Sequence, residues 1–325
     1  SAAALDLERD PPISAAIARV DGRYLFALTV DHLAADDTAF DLIERGLERA
    51  YRQLHADVDP SPPPDEASLP ACLARERNRA AQVDALPFWL DLLRDAPLAP
   101  ASMRMHWVAG RQASWMLDGD ETVRLHRACR ALACSPFVAL LAAQAILLAR
   151  LGGDLATVVN LPVSNRVDAI DQQVIGNLSL LAHLPIRIDP DETLGALLKR
   201  LRDLLLAAMK HRYYDYPVLS ESIGRDALDR GGVAHWMIGC SYLIDRHGDT
   251  PEGLLSRVDP PLLDAPQTPN GSFALSCRQR PDKTSLSVIY DPATWPISED
   301  TLPEALRALL VVVEQPDTIV GNLLL

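Results

Sequence analysis

The sequence lacks the cysteine pattern of a zinc site or of a disulfide-rich scaffold. It has five cysteines in 325 residues, and no two of them form a Cys-x-x-Cys pair. Domains stapled by disulfides are far denser in cysteine, and structural zinc sites bring Cys or His pairs at short spacing. We therefore expect free thiols in a reducing compartment, no bound metal, and a core of ordinary apolar side chains.

Basic residues and long apolar runs are also scarce. The chain has 31 Lys and Arg against 44 Asp and Glu, a formal net charge of −13. A field of this sign repels phosphate, so binding to nucleic acid or to an anionic membrane surface is not expected. The longest apolar run, 137–149, is interrupted by Gln144 and is shorter than the roughly 20 residues that a spanning helix needs. No secretory leader pattern is found, so we expect a cytoplasmic protein.

What is present fits a large globular chain of mixed class. At about 150 residues per domain, this length corresponds to two domains or one two-lobed unit. Strand and helix patterns interleave without a fixed-period repeat, which predicts an α/β or α+β fold. Residues 73–93 have the pattern of one helix, and 136–151 that of a long apolar helix after a Ser-Pro start. Pro97 and Pro100 indicate a linker, and hence a boundary near residue 100.

A strand followed closely by a helix is predicted near the beginning of the sequence. Residues 24–30 are a nearly continuous apolar run, typical of a buried strand, and Asp21-Gly22 before them is a hairpin turn signal. Residues 39–54 carry apolar side chains at spacings of three and four, which predicts an amphipathic helix. Asp37 or Thr38 is a natural N-cap for that helix. Polar side chains therefore converge at a corner beside the positive end of a helix.

That corner contains the best candidate for chemistry. His32 follows the predicted buried strand, where desolvation would lower its pKa and keep it neutral, as a general base requires. A buried Asp36 would need a cationic partner, most simply an arginine. The same spacing equally fits a loop histidine beside a helix cap with no catalytic role. The residues alone leave both interpretations open.

Several short sequence motifs follow one another along most of the chain. They are Leu5-Asp6-Leu7, 30–37, Phe88-Trp89, 160–166, Ile175-Gly176-Asn177, Tyr216-Pro217 and Ile289-Tyr290-Asp291. In this order they resemble motifs of the condensation-domain superfamily of nonribosomal peptide synthetases, whose members share the chloramphenicol-acetyltransferase fold. Within it, 30–37 stands where the family has HHxxxDG, and 160–166 resembles PVxxR.

The resemblance implies a fold of two chloramphenicol-acetyltransferase-like lobes, each a mixed sheet with flanking helices, meeting at a cleft. Residues 1–100 would form a partial N-terminal lobe that carries the signature motif, and residues 101–325 the C-terminal lobe. Relative to the family pattern, roughly a hundred residues would be missing at the front. Three explanations stay open: the chain is a fragment, a second chain or segment completes the first lobe, or that lobe is rebuilt.

The resemblance also implies an activity and a role for each residue. The chain would join a carrier-tethered acyl thioester to an amine or alcohol, in nonribosomal peptide or hybrid polyketide biosynthesis. His32 would be catalytic, and Asp36 paired with Arg166 would be structural. Asn177 and Ser164 are candidates for lining the substrate channel.

Carrier proteins are the partners that the resemblance implies. Peptidyl or acyl carrier domains would deliver substrates to His32 on phosphopantetheine arms from opposite openings, with no other bound cofactor and no metal. The basic cluster Arg75, Arg77 and Arg79 is typical of a solvated face. It is also a place where an acidic carrier domain could dock on this acidic chain.

Two departures from the signature leave rival functions open. Asp31 stands in place of the first histidine, and Asp37 in place of the glycine. A degenerate signature ending in two aspartates also occurs in inactive relatives that recruit carrier proteins or tailoring enzymes. Heterocyclisation domains use two carboxylates at positions that Asp31 and Asp36 match, although Ala39 replaces their serine. Condensation, recruitment and ring formation thus all remain as hypotheses.

Overall fold

A computed structural model describes most of the chain. The described residues are 7–56, 58–60, 68–80, 84–244, 266–280 and 283–325. Leu5 and Asp6 of the first motif lie outside them. The helices in these ranges are α1 (Asp37–His55), α2 (Leu69–Ala80), α3 (Leu86–Leu93), α4 (Gly119–Ala131), α5 (Pro136–Gly152), α6 (Leu194–Lys210), α7 (Tyr216–Asp229) and α8 (Thr301–Val311). The strands are β1 (Ile13–Val20), β2 (Arg23–Val30), β3 (Ala99–Pro100), β4 (Trp107–Ala109), β5 (Arg111–Leu117), β6 (Ala156–Ser164), β7 (Ser179–Arg187), β8 (Gly232–Val233), β9 (Ile238–Ile244), β10 (Gln267–Pro269), β11 (Phe273–Gln279) and β12 (Thr284–Tyr290).

The chain forms two compact units. Unit 1 combines the described residues up to 80 with Ser164–Leu180, and unit 2 combines the described residues of 84–163, 181–244 and 266–325. The boundary suggested near residue 100 lies inside unit 2, where Ala99 and Pro100 pair with Val233 and Gly232 as a short two-stranded sheet. Because residues 164–180 belong to unit 1, Arg166 of the PVxxR-like motif lies in the same unit as the signature motif at 30–37.

A two-stranded hairpin opens unit 1. β1 and β2 pair antiparallel from Ile13↔Val30 to Val20↔Arg23, and the predicted turn is present, with Asp21 and Gly22 at φ 49° and 79°. The expectation that β2 is buried is wrong, because Tyr24 is 75% and Phe26 38% exposed. The hairpin pairs with no other strand of the described chain, so its apolar side chains remain at the surface.

The rest of unit 1 packs helices on the segment 164–180. Cys72 of α2 is fully buried with Val174 and Leu178, and Leu69 and Ile170 pack around them. The predicted single helix over 73–93 is wrong, because α2 ends at Ala80 and α3 begins at Leu86. Pro87 occupies the first turn of α3, where a proline starts a helix rather than continuing one.

Unit 2 is built on a six-stranded mixed sheet. The strand order is β5-β12-β11-β9-β6-β7, with β11 parallel to β9 and antiparallel to β12. Helix α5 supplies much of the core, since residues 138–149 are all buried. It begins after the Ser135 cap with Pro136 in its first turn and ends at Gly153 with φ 78°, as the sequence predicts. Among the described helices none is by itself long and apolar enough to cross a membrane; only α4 and α5 together, bent by 98°, have the length and composition.

Candidate functional site

The polar corner between β2 and α1 is organised by Asp36. This residue is the N-cap of α1, with an extended backbone and with Oδ1 accepting a hydrogen bond from the Ala39 amide at 2.8 Å. The predicted N-cap, Asp37 or Thr38, is therefore wrong by one or two residues. The carboxylate that reaches an unpaired N–H in the first turn of the helix is that of Asp36. Asp36 is only 4% exposed. The cap therefore places a carboxylate inside unit 1.

Arg166 neutralises that buried carboxylate. Its Nη2 lies 2.8 Å from Asp36 Oδ1 and its Nε 3.3 Å from Oδ2. Oδ2 also accepts the amide of Leu178 at 3.0 Å. The side chains of Arg166 and Asp36 are 1% and 5% exposed. The predicted pairing of the signature aspartate with the PVxxR-like arginine is thus present in the structure.

The same guanidinium shapes the loop that follows it. Nη1 donates to the carbonyls of Asp171 and Val174, both at 2.7 Å, and Nη2 donates to that of Gly176 at 2.9 Å. Together with the two bonds to Asp36, every N–H of the side chain has an acceptor. Arg166 is therefore the hub that holds the segment 164–180 against the start of α1.

His32 lies two residues beyond β2, and its ring orientation is fixed. The ring is exposed, so the expected desolvation is wrong, because β2 itself is at the surface. Nδ1 is 2.9 Å from the carbonyl oxygen of Ala35. A carbonyl can only accept, so the neutral ring carries its proton on Nδ1 and leaves the lone pair on Nε2. The exposed imidazole can therefore accept a proton at Nε2.

Asn177 connects the loop 164–180 to the histidine. Its Nδ2 donates to the carbonyl of His32 at 2.8 Å, and its Oδ1 accepts the amide of Ser179 at 3.0 Å. The backbone at His32 is thus held from the loop that Arg166 organises. Ser164 is exposed and accepts the Arg166 amide at 3.4 Å, a contact that shapes the backbone at the start of the loop.

Asp31 and Asp37, the two residues that depart from the family signature, have different surroundings. Asp31 Oδ1 accepts the amide of Leu33 at 2.9 Å, which closes a tight turn around His32. Its own amide donates to the carbonyl of Pro12 at 2.8 Å. Asp37 is exposed in the first turn of α1, where a negative charge is favourable beside the helix dipole. Asp31 therefore shapes the loop, and Asp37 adds charge beside it.

A second buried carboxylate, that of Asp171, connects the segment 164–180 to helix α2. The sequence did not predict this residue as part of the site. Asp171 has a fully buried side chain that accepts hydrogen bonds from Arg75 at 2.7 and 3.1 Å and from Arg79 at 3.1 Å. The amide of Asp168 adds a bond at 3.1 Å. Burial by itself would raise the pKa of Asp171, but the bonds from Arg75, Asp168 and Arg79 hold that pKa well below its usual range.

The interpretation of Arg75 and Arg79 as solvated side chains is therefore wrong, whereas Arg77 is exposed. Docking of an acidic carrier domain at this cluster stays a prediction. Arg75 and Arg79 belong to α2 and face the segment 164–180, where Arg79 also pairs with Asp168. Their spacing of four places them on one side of a helix, which is a visible signal. Nothing in the sequence, however, shows that the facing carboxylates lie about ninety residues away, so the pairing was not predicted.

No metal centre is evident in the described ranges. No group of three or more His, Cys, Asp or Glu side chains there is placed to hold a metal ion. The five cysteines are free thiols, and four of them are buried. Burial raises the pKa of the Cys72 thiol to about 11, with the nearby Asp171 carboxylate adding to the shift. That thiol is therefore a packing residue that stays protonated.

Comparison with known proteins identifies relatives over most of the chain. The family model "Condensation domain" matches residues 1–295. The probable non-canonical nonribosomal peptide synthetase CymA of Salinispora arenicola is 28% identical over 233 residues, which is 67% of this chain and 3% of that protein. The beauvericin nonribosomal cyclodepsipeptide synthetase of Beauveria bassiana is 26% identical over 194 residues, 56% of this chain and 6% of that protein. This chain thus spans a small part of the length of its curated relatives.

Solved structures share its fold. The X-domain in complex with OxyB from teicoplanin biosynthesis matches with a TM-score of 0.75 and 21% identity, covering 99% of this chain and 74% of that one. The first condensation domain of the calcium-dependent antibiotic synthetase matches with a TM-score of 0.69 and 20% identity, covering 98% and 71%. The mixed α/β architecture predicted from the motifs is therefore confirmed.

Proposed function

Because the chain belongs to the condensation-domain family, we propose that it joins an acyl group held as a carrier-protein thioester to an amine or alcohol acceptor. Nε2 of His32 takes a proton from the acceptor as its nitrogen or oxygen attacks the thioester carbonyl. The new C–N or C–O bond forms, the C–S bond breaks, and the proton passes to the departing thiolate. The observation that carries this proposal is the orientation of the exposed His32 ring. Its Nδ1 contacts the carbonyl of Ala35, so the other nitrogen, Nε2, is the one that can accept a proton.

The buried ion pair of Asp36 and Arg166 makes the backbone around His32 rigid, as a general base requires. A catalytic group must be held close to its productive geometry, and networks of satisfied hydrogen bonds do this better than a loop alone. Asp36 and Arg166 fix the start of α1, while Asn177 holds the carbonyl of His32 at 2.8 Å. In this proposal neither Asp36 nor Arg166 takes part in proton transfer.

The test is a condensation assay with a loaded donor carrier domain and an aminoacyl acceptor carrier domain. We expect His32→Ala to lower product formation by 10²-fold or more, the usual worth of a positioned general base. His55→Ala is the matched control, since it removes another exposed histidine from the same unit. Unchanged turnover in His32→Ala would remove this residue from the mechanism.

A recruiting role without catalysis is the second candidate. It is supported by Asp31 and Asp37, which depart from the family signature and place two carboxylates within five residues of His32 in the sequence. In this case the chain would bind a carrier domain or a tailoring enzyme through its surface. Binding of loaded carrier domains by wild type and His32→Ala alike, with no product from either, is the expected result.

Ring formation through Asp31 and Asp36 has less support from the contacts. Both oxygens of Asp36 are engaged by Arg166 and by backbone amides, and the side chain is 5% exposed. That arrangement suits a structural carboxylate better than one that exchanges protons with substrate. If ring formation is nevertheless the activity, Asp31→Asn should abolish the cyclised product while leaving the uncyclised amide.

The exposed hairpin supports one further partner in addition to carrier domains. Ile17 is 70% and Tyr24 75% exposed, on strands that have open edges within the described chain. We expect a polypeptide segment that adds strands to β1 or β2, from this protein or another. Its addition should protect from hydrogen exchange the outward-facing backbone amides of the strand that it joins, in Ile13–Val20 for β1 or in Arg23–Val30 for β2. A cytoplasmic location for such an assembly is part of the same proposal.

A further inference from the structure

Two cysteines of unit 2 lie together where helix α4 ends. The helix ends at Ala131, and Cys134 follows in the turn before α5. The Cys134 amide donates to the carbonyl of Cys129 at 2.9 Å, and the Ala133 amide donates to that of Arg130 at 3.1 Å. Ala133 has φ 49°, which is the left-handed conformation. These two hydrogen bonds and this φ define a Schellman motif at the end of the helix.

The motif brings the two cysteine side chains into contact. In a Schellman motif the residue that donates the outer hydrogen bond commonly packs against the residue that accepts it, and here both are cysteines. A separation of five residues would place them well apart around a continuous helix, so the turn at Ala133 is what brings Cys134 back onto Cys129. Both are free thiols, and they are hydrogen-bonded to each other.

The two thiols differ in their access to solvent. Cys129 is 1% exposed and lies in the hydrophobic core. Cys134 is only half-buried, and Ala133 beside it is exposed. A small solute can therefore reach Cys134 directly, whereas Cys129 is covered and has Cys134 as its sulfur neighbour.

Arg202 of α6 lies beside the accessible cysteine. Its Nη1 donates to the carbonyl of Ala133 at 3.2 Å, and its Nη2 pairs with the half-exposed Asp203 at 2.8 Å. The hydrogen bond with Cys129 outweighs burial and lowers the pKa of the Cys134 thiol, and the positive charge of Arg202 adds to this. The same hydrogen bond, together with burial, raises the pKa of Cys129. Cys134 is therefore the member that forms a thiolate, the reactive form of cysteine.

We propose that Cys129 and Cys134 are a modification site, at which a hydroperoxide converts the two thiols into a reversible disulfide. The Cys134 thiolate attacks one peroxide oxygen, so an S–O bond forms, the O–O bond breaks, and the departing hydroxide takes a proton from water. The Cys129 thiol then attacks the sulfenic sulfur of Cys134. The S–S bond forms, the S–O bond breaks, and the hydroxyl group leaves as water with the thiol proton. The two sulfurs lose two electrons and the peroxide gains them, and a small thiol such as glutathione reverses the reaction.

The other three cysteines have surroundings that protect them from this chemistry. Cys72, Cys240 and Cys277 are each 1% exposed or less. Burial raises the pKa of Cys277 to about 12, and burial followed by the charge of Cys277 raises that of Cys240. These thiols serve as internal controls in the same molecule. The chemistry of the pair does not depend on condensation at His32.

The first test maps the bond in the intact wild-type chain. The folded protein is treated with stoichiometric hydrogen peroxide, unfolded with iodoacetamide present and digested with trypsin. Because Arg130 stands between the two cysteines, the disulfide joins the tripeptide Ala128–Arg130 to the tryptic peptide 131–150. We expect this linked pair, its loss after dithiothreitol, and iodoacetamide on the other three cysteines. Absence of the linked pair, or a dimer of the chain joined through Cys134, overturns the proposal.

The second test separates the roles of the two thiols with matched serine variants, whose folding is verified by thermal denaturation. In Cys129→Ser the sulfenic acid of Cys134 has no resolving thiol, so it should accumulate and react with dimedone. In Cys134→Ser the buried Cys129 should stay reduced and take up no dimedone. In folded wild type, which needs no variant, Cys134 should react with iodoacetamide at least about tenfold faster than Cys129. Equal dimedone labelling of the two variants, or equal alkylation rates in wild type, contradicts the proposal.

Discussion

Asp36 and Arg166 form a two-point ion pair, 2.8 and 3.3 Å long, between residues 130 positions apart in the chain. Every N–H of the guanidinium has an acceptor, and the carboxylate also accepts two backbone amides. A buried ion pair is stabilising only when its hydrogen bonds are completed in this way. The pair therefore links the first turn of α1 to the segment 164–180, and its loss should affect both.

Removing one partner should cost far more than removing a surface ion pair. For Asp36→Ala we expect the free energy of unfolding in urea to fall by about 3–5 kcal/mol, because Arg166 would remain charged and buried. Glu299→Gln is the control, since its pair with Arg111 is 3.2 Å long but 41–50% exposed. The control should lose less than about 1 kcal/mol. Similar losses in both variants would contradict the structural role of Asp36.

Asn177 should affect turnover more than substrate affinity. Asn177→Leu removes the hydrogen bond to the carbonyl of His32, and a bond of this kind is worth about 0.5–1.5 kcal/mol. If His32 is the base, we expect kcat to fall by up to about tenfold with KM nearly constant, since the loop loses its support. Ser164→Ala is the control from the same segment, because Ser164 makes only a 3.4 Å contact to a backbone amide. An equal effect of both variants would show that Asn177 has no special role.

Asp171 should make unit 1 sensitive to acid. Its pKa is below the ordinary value of 3.8 because the bonds from Arg75, Asp168 and Arg79 outweigh burial. A carboxylate with a lowered folded-state pKa contributes stability that is fully present above the ordinary value and is lost as the pH falls below it. We expect Asp171→Asn to be less stable at pH 7 and to have a flatter stability curve below pH 4. Urea unfolding at several pH values gives both quantities, and parallel curves for the two proteins would reject the prediction.

His183 should add a second dependence on pH in a different range. Burial lowers its folded-state pKa to about 4, below the ordinary value of 6.5. Between these values the unfolded chain binds more protons, so stability falls as the pH falls from 6.5 to 4, by up to about 3 kcal/mol. His183→Gln should lack this loss. Thermal melts of both proteins at pH 7 and pH 5 measure the difference, and identical shifts would show that the imidazole titrates normally.

The order of motifs predicted the fold and the Asp36–Arg166 pair, while burial was predicted less well. Residues 24–30 have the composition of an interior strand, yet whether a strand is covered depends on what pairs with it, which local composition does not encode. The helix cap was displaced to Asp36 because capping depends on side-chain reach. Arg75 and Arg79 were misread because their partner Asp171 is distant in sequence. The sequence around His183 gives no signal of its burial, which depends on the rings of Tyr216 and Trp236 that pack against it.

The β1–β2 hairpin has a practical consequence for anyone purifying this chain. Within the part of the chain that the structure describes, the outer edges of β1 and β2 pair with no further strand, and Ile17, Tyr24 and Phe26 are exposed beside them. Such edges can template strand addition by a neighbouring molecule. At high concentration the protein should therefore self-associate, and light scattering should reveal soluble multimers before turbidity develops. Replacing Ile17 with lysine, a substitution that natural edges often use, should delay that onset without disturbing unit 2.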